Sequence, residues 1–552
     1  MKKIIFISIA LVITYSCFSQ APNWAWERTS GGTSDDKGNS VATDASGNVY
    51  VTGNFMSPTI TFGSTTLTNT SAGSYDIFLV KYDNNGNVIW AKSAGGIYDD
   101  QSNGITTDIN GNIYITGGFN TSITFGSTTL TSPGVFVVKY DSSGNVVWAN
   151  GYASPGSYGQ NLVTDSTGNL YLIGNLGFQT ITFGSTTLQN ANDTVNGVYD
   201  IFVVKFDNNG NVVWVNRAGG EDFDFGYSIA LDNSNNVYIT GGYGSVAINF
   251  GSDTLVNVTT TLGVGNTDVF VTKYDNNGNV LWARTAGGDS NDDGFGISTD
   301  NNGNVFVTGA SGCTPITFGS ITLPAPGVGD IFIAKYDGNG NVIWAKGVGG
   351  PASDFSNSIK TDAVGNSYIT GYFESSSLGF ETDTIISNGL ADVFFAKYDS
   401  NGNVLWARNV GGTGIDRGNS ITIDGSENIY FTGYFQSPSI TFGANTFLND
   451  NTSFQDIYTV KLGAMTGIRE ENNPDNLNIF PNPFTSQTTL AFSTDQKNTE
   501  VRITDILGKE IRTLHFSGKE LIIEKGEMER GIYFVEITDV NKNRVNRKIV
   551  VE

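Results

Sequence analysis

The chain has 552 residues, with 53 acidic and 30 basic side chains, one histidine and two cysteines, and a formal net charge of −23. That acidity argues against nucleic acid and anionic lipid as partners, since both need basic patches. The one histidine, His515, lies near the C-terminus, so the body of the chain has no Ser-His-Asp triad, no Cys-His pair and no histidine-ligated metal.

Lys2 and Lys3 precede an apolar run from Ile4 to Ile13 that is too short to cross a bilayer. Residues 1–20 therefore read as a secretory signal peptide cut near Gln20–Ala21. Cys17 invites a lipoprotein reading, but Thr14-Tyr15-Ser16 is a poor lipobox. No other segment is long enough to span a membrane. The mature chain keeps one cysteine, Cys313, so an intrachain disulfide is excluded and the thiol reads as idle.

From residue 21 to 462 a unit of about 62 residues is written seven times. The phrase Asp76–Ala91 returns at 200, 268, 330 and 392, and loosely at 135. In the first unit the expected strands are Ser40–Thr43, Asn48–Asn54, Asp76–Tyr82 and Asn87–Ser93. Asp-x-x-Gly-Asn turns such as Asp44–Asn48 and Asp83–Asn87 join the first to the second and the third to the fourth. Gly and Asn supply positive φ there, and Asp caps the turn. The third strand, Ile77-Phe78-Leu79-Val80, is continuously apolar, as a strand buried on both faces should be. Tryptophan-bearing fourth strands are assigned at Trp24, Trp90, Trp148, Trp214, Trp282, Trp344 and Trp406. The first of these precedes any complete unit, and the last three-strand set, ending at Asp456–Leu462, lacks a fourth strand. The count predicts an all-β, closed seven-bladed β-propeller of four-stranded blades, with the N-terminal strand Asn23–Arg28 completing the last blade. The units resemble the SBBP type of β-propeller repeat, a resemblance that implies fold and little about activity.

After Leu462 the tryptophan and turn signals vanish. Residues 463–476 read as a linker, and 477–552 as a small C-terminal β-sandwich. Phe480-Pro481-Asn482-Pro483, Val501–Lys509 (with Gly508), Gly531-Ile532-Tyr533-Phe534 and Arg547-Lys548-Ile549-Val550-Val551 occur in that order. This tail resembles the type A C-terminal sorting domain of the type IX secretion system. The resemblance implies export across the outer membrane of a Gram-negative cell, the secretion machinery as a partner, removal of the tail, and release or surface anchoring. It puts Pro481, Asn482, Pro483, Gly508, Gly531, Tyr533 and Lys548 in the sorting motif.

Among candidate site residues, an Asp falls at a fixed offset after each Gly-Gly that ends a fourth strand: Asp36, Asp100, Asp224, Asp292, Asp354 and Asp416. The third unit breaks the pattern. Two readings stand: each Asp caps its own loop, or the set converges on the axis and holds Ca²⁺ through oxygen ligands. No cofactor is otherwise indicated. The strand lysines Lys81, Lys139, Lys205, Lys273, Lys335, Lys397 and Lys461 read as scaffold, with a pair such as Lys81–Asp44 expected. Aromatic residues that differ between copies, Tyr98, Tyr158, Phe223, Phe225, Phe295 and Phe355, are the candidate ligand contacts, because variable loops on a rigid frame carry binding. A hairpin repeat, Ile60–Leu67, is expected to crown the same face. The leading reading is a secreted or surface-anchored binding protein for a glycan or other extracellular polymer, monomeric and not an enzyme. The alternatives are an adhesive protein contacting other proteins and a carboxylate-dependent glycoside hydrolase.

Overall fold

The computed structural model describes residues 21–177, 179–192, 198–258, 266–381, 383–449, 451–463, 477–505, 509–538 and 544–552. The expected signal peptide, most of the expected linker and Gly508 lie outside the described residues. The chain divides into two compact units, meeting at residues 465 and 466. Every named element is a β-strand, and among the described residues no helix is long and apolar enough to cross a membrane.

The repeat unit begins with β1 (Trp24–Ser30), β2 (Asp36–Thr43), β3 (Val49–Phe55), β4 (Thr59–Phe62), β5 (Thr65–Thr68), β6 (Asp76–Tyr82) and β7 (Val88–Ala94). β2, β3, β6 and β7 form a four-stranded antiparallel sheet in that order, and the same order recurs along the chain, giving a propeller-like stack of blades. β3 and β6 are buried at every residue, because each face packs on a neighbouring sheet. The turn between β2 and β3 is built as its sequence predicts. Asp44 Oδ1 accepts the backbone N–H of Ser46 and Asn48, both at 2.9 Å, and Gly47 takes φ 76°. Asp44 Oδ2 accepts from Asn48 Nδ2 at 2.7 Å and from the Tyr50 hydroxyl at 2.8 Å.

Three expectations need correction. The innermost strand starts at Asp36, four residues before the expected Ser40, because a β-bulge at Asn39 shifts the register and hides the alternation. Trp26, not Trp24, is the repeat tryptophan of β1: Trp26 pairs with Lys461 as Trp90 pairs with Lys81. Trp24 instead packs its ring on Phe395 and Phe442. The β4–β5 hairpin does not crown a face. Its Phe62 packs on Phe78 at 5.0 Å between ring centres, and a Cβ at its tip, Gly63, would lie 3.1 Å from Val88 at the start of the outer strand. The apolar side of the hairpin seals the outer part of the blade, which leaves the axial end of the loops uncovered.

Neighbouring sheets are joined by repeated polar contacts. Lys81 Nζ donates to Ser142 O of the next unit at 3.0 Å and lies 5.1 Å from the Tyr50 ring centre. The acidic partner is a distant one: Lys139 comes only to 3.9 Å of Asp108. On the axis, the bulge asparagine donates to a backbone carbonyl of the following unit: Asn39 to Ser102, Asn103 to Gly159 and Asn357 to Gly418, at 2.9, 3.0 and 2.9 Å. The last unit treats the first in the same way. Asn419 Nδ2 donates to Gly38 O at 2.9 Å, and Trp26 Nε1 to Asn84 O at 3.0 Å. β1 itself pairs with Asp456–Leu462.

In the second unit, Asn478–Phe480, Gln487–Asp505, Gly531–Thr538 and Arg544–Val551 lie in one antiparallel sheet, and Glu510–Glu524 pairs with Gln487–Asp505. The strands are connected through the long strand, along which the pairing slips between Ala491 and Thr499. Leu490, Val501, Ile503, Ile523, Val535 and Ile549 fill its core.

Candidate functional site

The loops that enter the innermost strands are held by the aspartate set. Asp36 Oδ2 accepts from Ser57 Oγ at 2.7 Å, and Oδ1 from the backbone N–H of Met56 and Ser57 at 3.1 and 3.2 Å. Asp224 with Ser245, Asp354 with Ser375, and Asp416 with Ser437 repeat the bond at 2.8, 2.8 and 2.6 Å. Asp292 accepts from Gly288 N and Gly312 N instead. Where the third unit lacks the aspartate, Ser157 Oγ accepts from Gly177 N at 2.9 Å, so a neutral side chain does the same task. The carboxylates stay in their own loops, and among the described residues no group of three or more His, Cys, Asp or Glu is placed to hold a metal.

A second aspartate, at the head of β6 and its counterparts, sits close to the first. Burial pushes Asp100 up to about 7, with the charge of Asp76 adding to it. Burial likewise raises Asp36 to about 6, Asp224 to about 7 and Asp292 to about 8. The Gly-Gly pair follows from this packing: a Cβ on Gly95 would lie 2.0 Å from Asp76 Oδ1.

The variable aromatics behave differently from the repeated residues. Five of the six candidates join one arc around the axial opening. Tyr158 touches Tyr199, Tyr199 touches Phe225, and Phe225 stacks with Phe223 and Tyr227. Tyr227 meets Phe295 at 5.0 Å, Phe295 meets Phe355 at 6.1 Å, and Phe355 stacks on Tyr372 at 5.3 Å. Arg417 closes the end, 4.0 Å above Tyr372. Tyr98 has no place in the arc and is 56 % exposed.

The local reason is the bulge. Gln160, Tyr227 and Phe295 occupy the bulge position that asparagine fills elsewhere. These consecutive units therefore give up the asparagine amide and turn larger side chains toward the axis. There they line a cavity of about 530 Å³ whose wall is otherwise mostly Ser, Thr, Asn and aliphatic side chains, with two charged residues, Lys360 and Asp300. Asp293 stands within the arc: burial raises its carboxyl to about 6, and its Oδ1 has no hydrogen-bond partner. Sequence reasoning missed Tyr199, Tyr227, Tyr372, Asp293 and Arg417. Comparing copies at the bulge and at the residue after the loop aspartate would have found Tyr227, Asp293 and Arg417.

In the C-terminal unit, Asn482 is clipped to the last strand. Its Nδ2 donates to Lys548 O at 2.9 Å, and its Oδ1 accepts from Val550 N at 2.8 Å. Gly531 opens the strand that carries Tyr533, whose hydroxyl donates to Glu529 O at 3.0 Å. Pro481 and Pro483 flank Asn482, and the strand carrying Gly531 and Tyr533 pairs with the one carrying Lys548.

Residues 478–552 match the secretion system C-terminal sorting domain, and residues 89–117 match the beta-propeller repeat of SBBP type. The tail is a type IX sorting domain. The sorting domain assigns the protein to the outside of the cell or the outer-membrane surface, and makes the secretion machinery its partner. A WD repeat-containing protein of Acanthamoeba polyphaga mimivirus is 27 % identical over 509 residues, covering 76 % of this chain and 36 % of its own length. An endo-acting ulvan lyase of Formosa agariphila is 35 % identical over 75 residues, 13 % of this chain and 14 % of the lyase. This chain thus spans about a third or less of the curated relatives it matches. Among solved structures, Sqt1 from Chaetomium thermophilum aligns with a TM-score of 0.41 and 9 % identity, over 80 % of this chain and 99 % of that one.

Proposed function

We propose that this is a secreted, surface-displayed binding protein in which a closed ring of seven blades presents an aromatic-walled opening to an extracellular glycan or similar polymer. Ring closure is supported by the bonds of Trp26 and Asn419, which treat the first unit as the next one in the series. The domain reading follows: signal peptide 1–20, propeller 21–462, linker 463–476 and sorting domain 477–552.

The observation that carries the binding reading is the interruption at the axis. The asparagine ladder stabilises the ring wherever it runs, so replacing it with Gln160, Tyr227 and Phe295 in successive units trades scaffold bonds for larger side chains at the axis, two of them half-buried rings. Aromatic faces stack on the apolar faces of sugar rings, while Asp293 and the amides beside them meet hydroxyl groups. The closely set aspartate pairs favour binding over hydrolysis, since they repeat in most junctions and are buried. A screen of the purified protein on an array of extracellular polysaccharides tests this. Retention of a polymer by wild type and its loss in Tyr227→Ala/Phe295→Ala is expected. Retention of proteins alone would favour the adhesive alternative.

A further inference from the structure

We propose that the axial channel is an anion site built on Lys360, which takes the carboxylate of a uronate, either as a free sugar acid or at the end of a saccharide held at the aromatic opening. Only the second source rests on the binding reading above.

The charge distribution points there. Most of the propeller's cations are engaged by the scaffold: Lys81 and its counterparts with carbonyls of the next turn, Arg28 with Gly86 O, Arg217 with Asp200, Lys346 with Glu381, and Arg417 with Glu374 at 3.7 Å. Lys360 belongs to none of these sets. Its register partner is Tyr368, and the matching position in the other units holds Ala42, Thr106, Val163, Ala230, Ser298 or Thr422. The blade therefore needs no cation at that point.

The side chain lies in the wall of the 530 Å³ cavity. Among the described residues it makes no ion pair. Asp300 is the other charged residue of that wall, and its carboxylate is taken up by its own turn: Oδ1 accepts from Asn302 N and Asn304 N, and Oδ2 from Asn304 Nδ2. Lys360 is open to solvent in the channel, while the surrounding wall desolvates its amine and pushes it down, as expected for a cation with no counter-charge. The rest of the wall is largely hydroxyl and amide groups, which can donate to a carboxylate without neutralising the ammonium. The net −23 of the chain does not forbid this, because charges beyond about 8 Å are screened at physiological salt. Cavities of a few hundred Å³ hold small ligands of monosaccharide size.

Calorimetric titration of the full secreted chain with galacturonate, galactose and trigalacturonate tests the proposal. Wild type should bind galacturonate, or trigalacturonate alone, and not galactose. Lys360→Met should weaken galacturonate at least tenfold and Lys360→Arg should retain it, with unchanged melting of the unliganded variants or a rise for Lys360→Met. Equal binding of galacturonate by wild type and Lys360→Met, equal binding of galactose, or no response of wild type to galacturonate or trigalacturonate would overturn it. Phe225→Ala/Phe355→Ala separates the sources. A surviving galacturonate response identifies the free acid and holds even if the opening binds no polymer. A response to trigalacturonate alone, lost in that variant, identifies the saccharide-held carboxylate.

Discussion

Replacing Trp26 with alanine tests whether the N-terminal strand is part of the ring. The indole is 6 % exposed, its Nε1 donates to Asn84 O at 3.0 Å, and its ring meets Tyr82 at 5.8 Å and Tyr430 at 6.1 Å. Truncating a buried aromatic costs about 3–5 kcal/mol, of which the lost hydrogen bond is about 1 kcal/mol. With an unfolding entropy of about 2.1 cal/mol/K per residue, a cooperative propeller of this size shifts by roughly 1 °C per kcal/mol, so a fall of roughly 3–5 °C is expected. Trp282 is the internal standard. It is also 6 % exposed, and its Nε1 donates to Gly338 O at 3.1 Å in the middle of the chain. Scanning calorimetry and urea denaturation of Trp26→Ala and Trp282→Ala should give losses equal to within about 1 kcal/mol. Wild-type melting of Trp26→Ala beside a large loss in Trp282→Ala would refute the integration of β1 and the closed ring with it.

The raised aspartates set a pH dependence. Asp36, Asp100, Asp224 and Asp292 have folded values of about 6 to 8, above the unfolded 3.8, so the folded state binds more protons in between. Their contribution is fully present below about pH 4 and is lost as pH rises through 6 to 8, so the melting temperature should fall over that window. Asp100→Asn should flatten the fall, and an unchanged slope would count against the buried acids as its cause. If the aspartates cap loops, a chelator leaves melting unchanged; a drop that Ca²⁺ reverses and Asp100→Asn/Asp292→Asn abolishes would restore the cation reading. Removing residues 477–552 should leave a propeller that melts normally but is absent from the medium and cell surface, and export of the shortened chain at normal yield would contradict the sorting role.

Most of the scaffold was readable because the repeat wrote it several times over. Asp44, Gly47 and Asn48 recur in turn after turn, and each has a local task that one hydrogen-bonded loop explains. The register of β1 was misread because Trp24 and Trp26 are both tryptophans two residues apart, and only pairing with Lys461 tells them apart. The hairpin was misplaced because Ile60, Phe62 and Leu67 show that one side is buried without showing against what. At the site, Tyr158, Phe223, Phe225, Phe295 and Phe355 were found through their difference between copies. Tyr227 was hidden by the bulge, which breaks the two-residue period. Arg417 and Asp293 were hidden because a charged residue after the loop aspartate reads as solvated surface until the neighbouring strands close around it.

The most direct test of the account is a binding isotherm for a fluorescently labelled polysaccharide selected on the array, measured for wild type, Tyr227→Ala/Phe295→Ala and Asn84→Ala/Asn208→Ala. The account predicts at least tenfold weaker binding for the aromatic pair, from the loss of two stacking faces, and wild-type binding for the turn pair. Equal weakening by both pairs, or full binding by the aromatic variant, would contradict a ligand site at the axial opening.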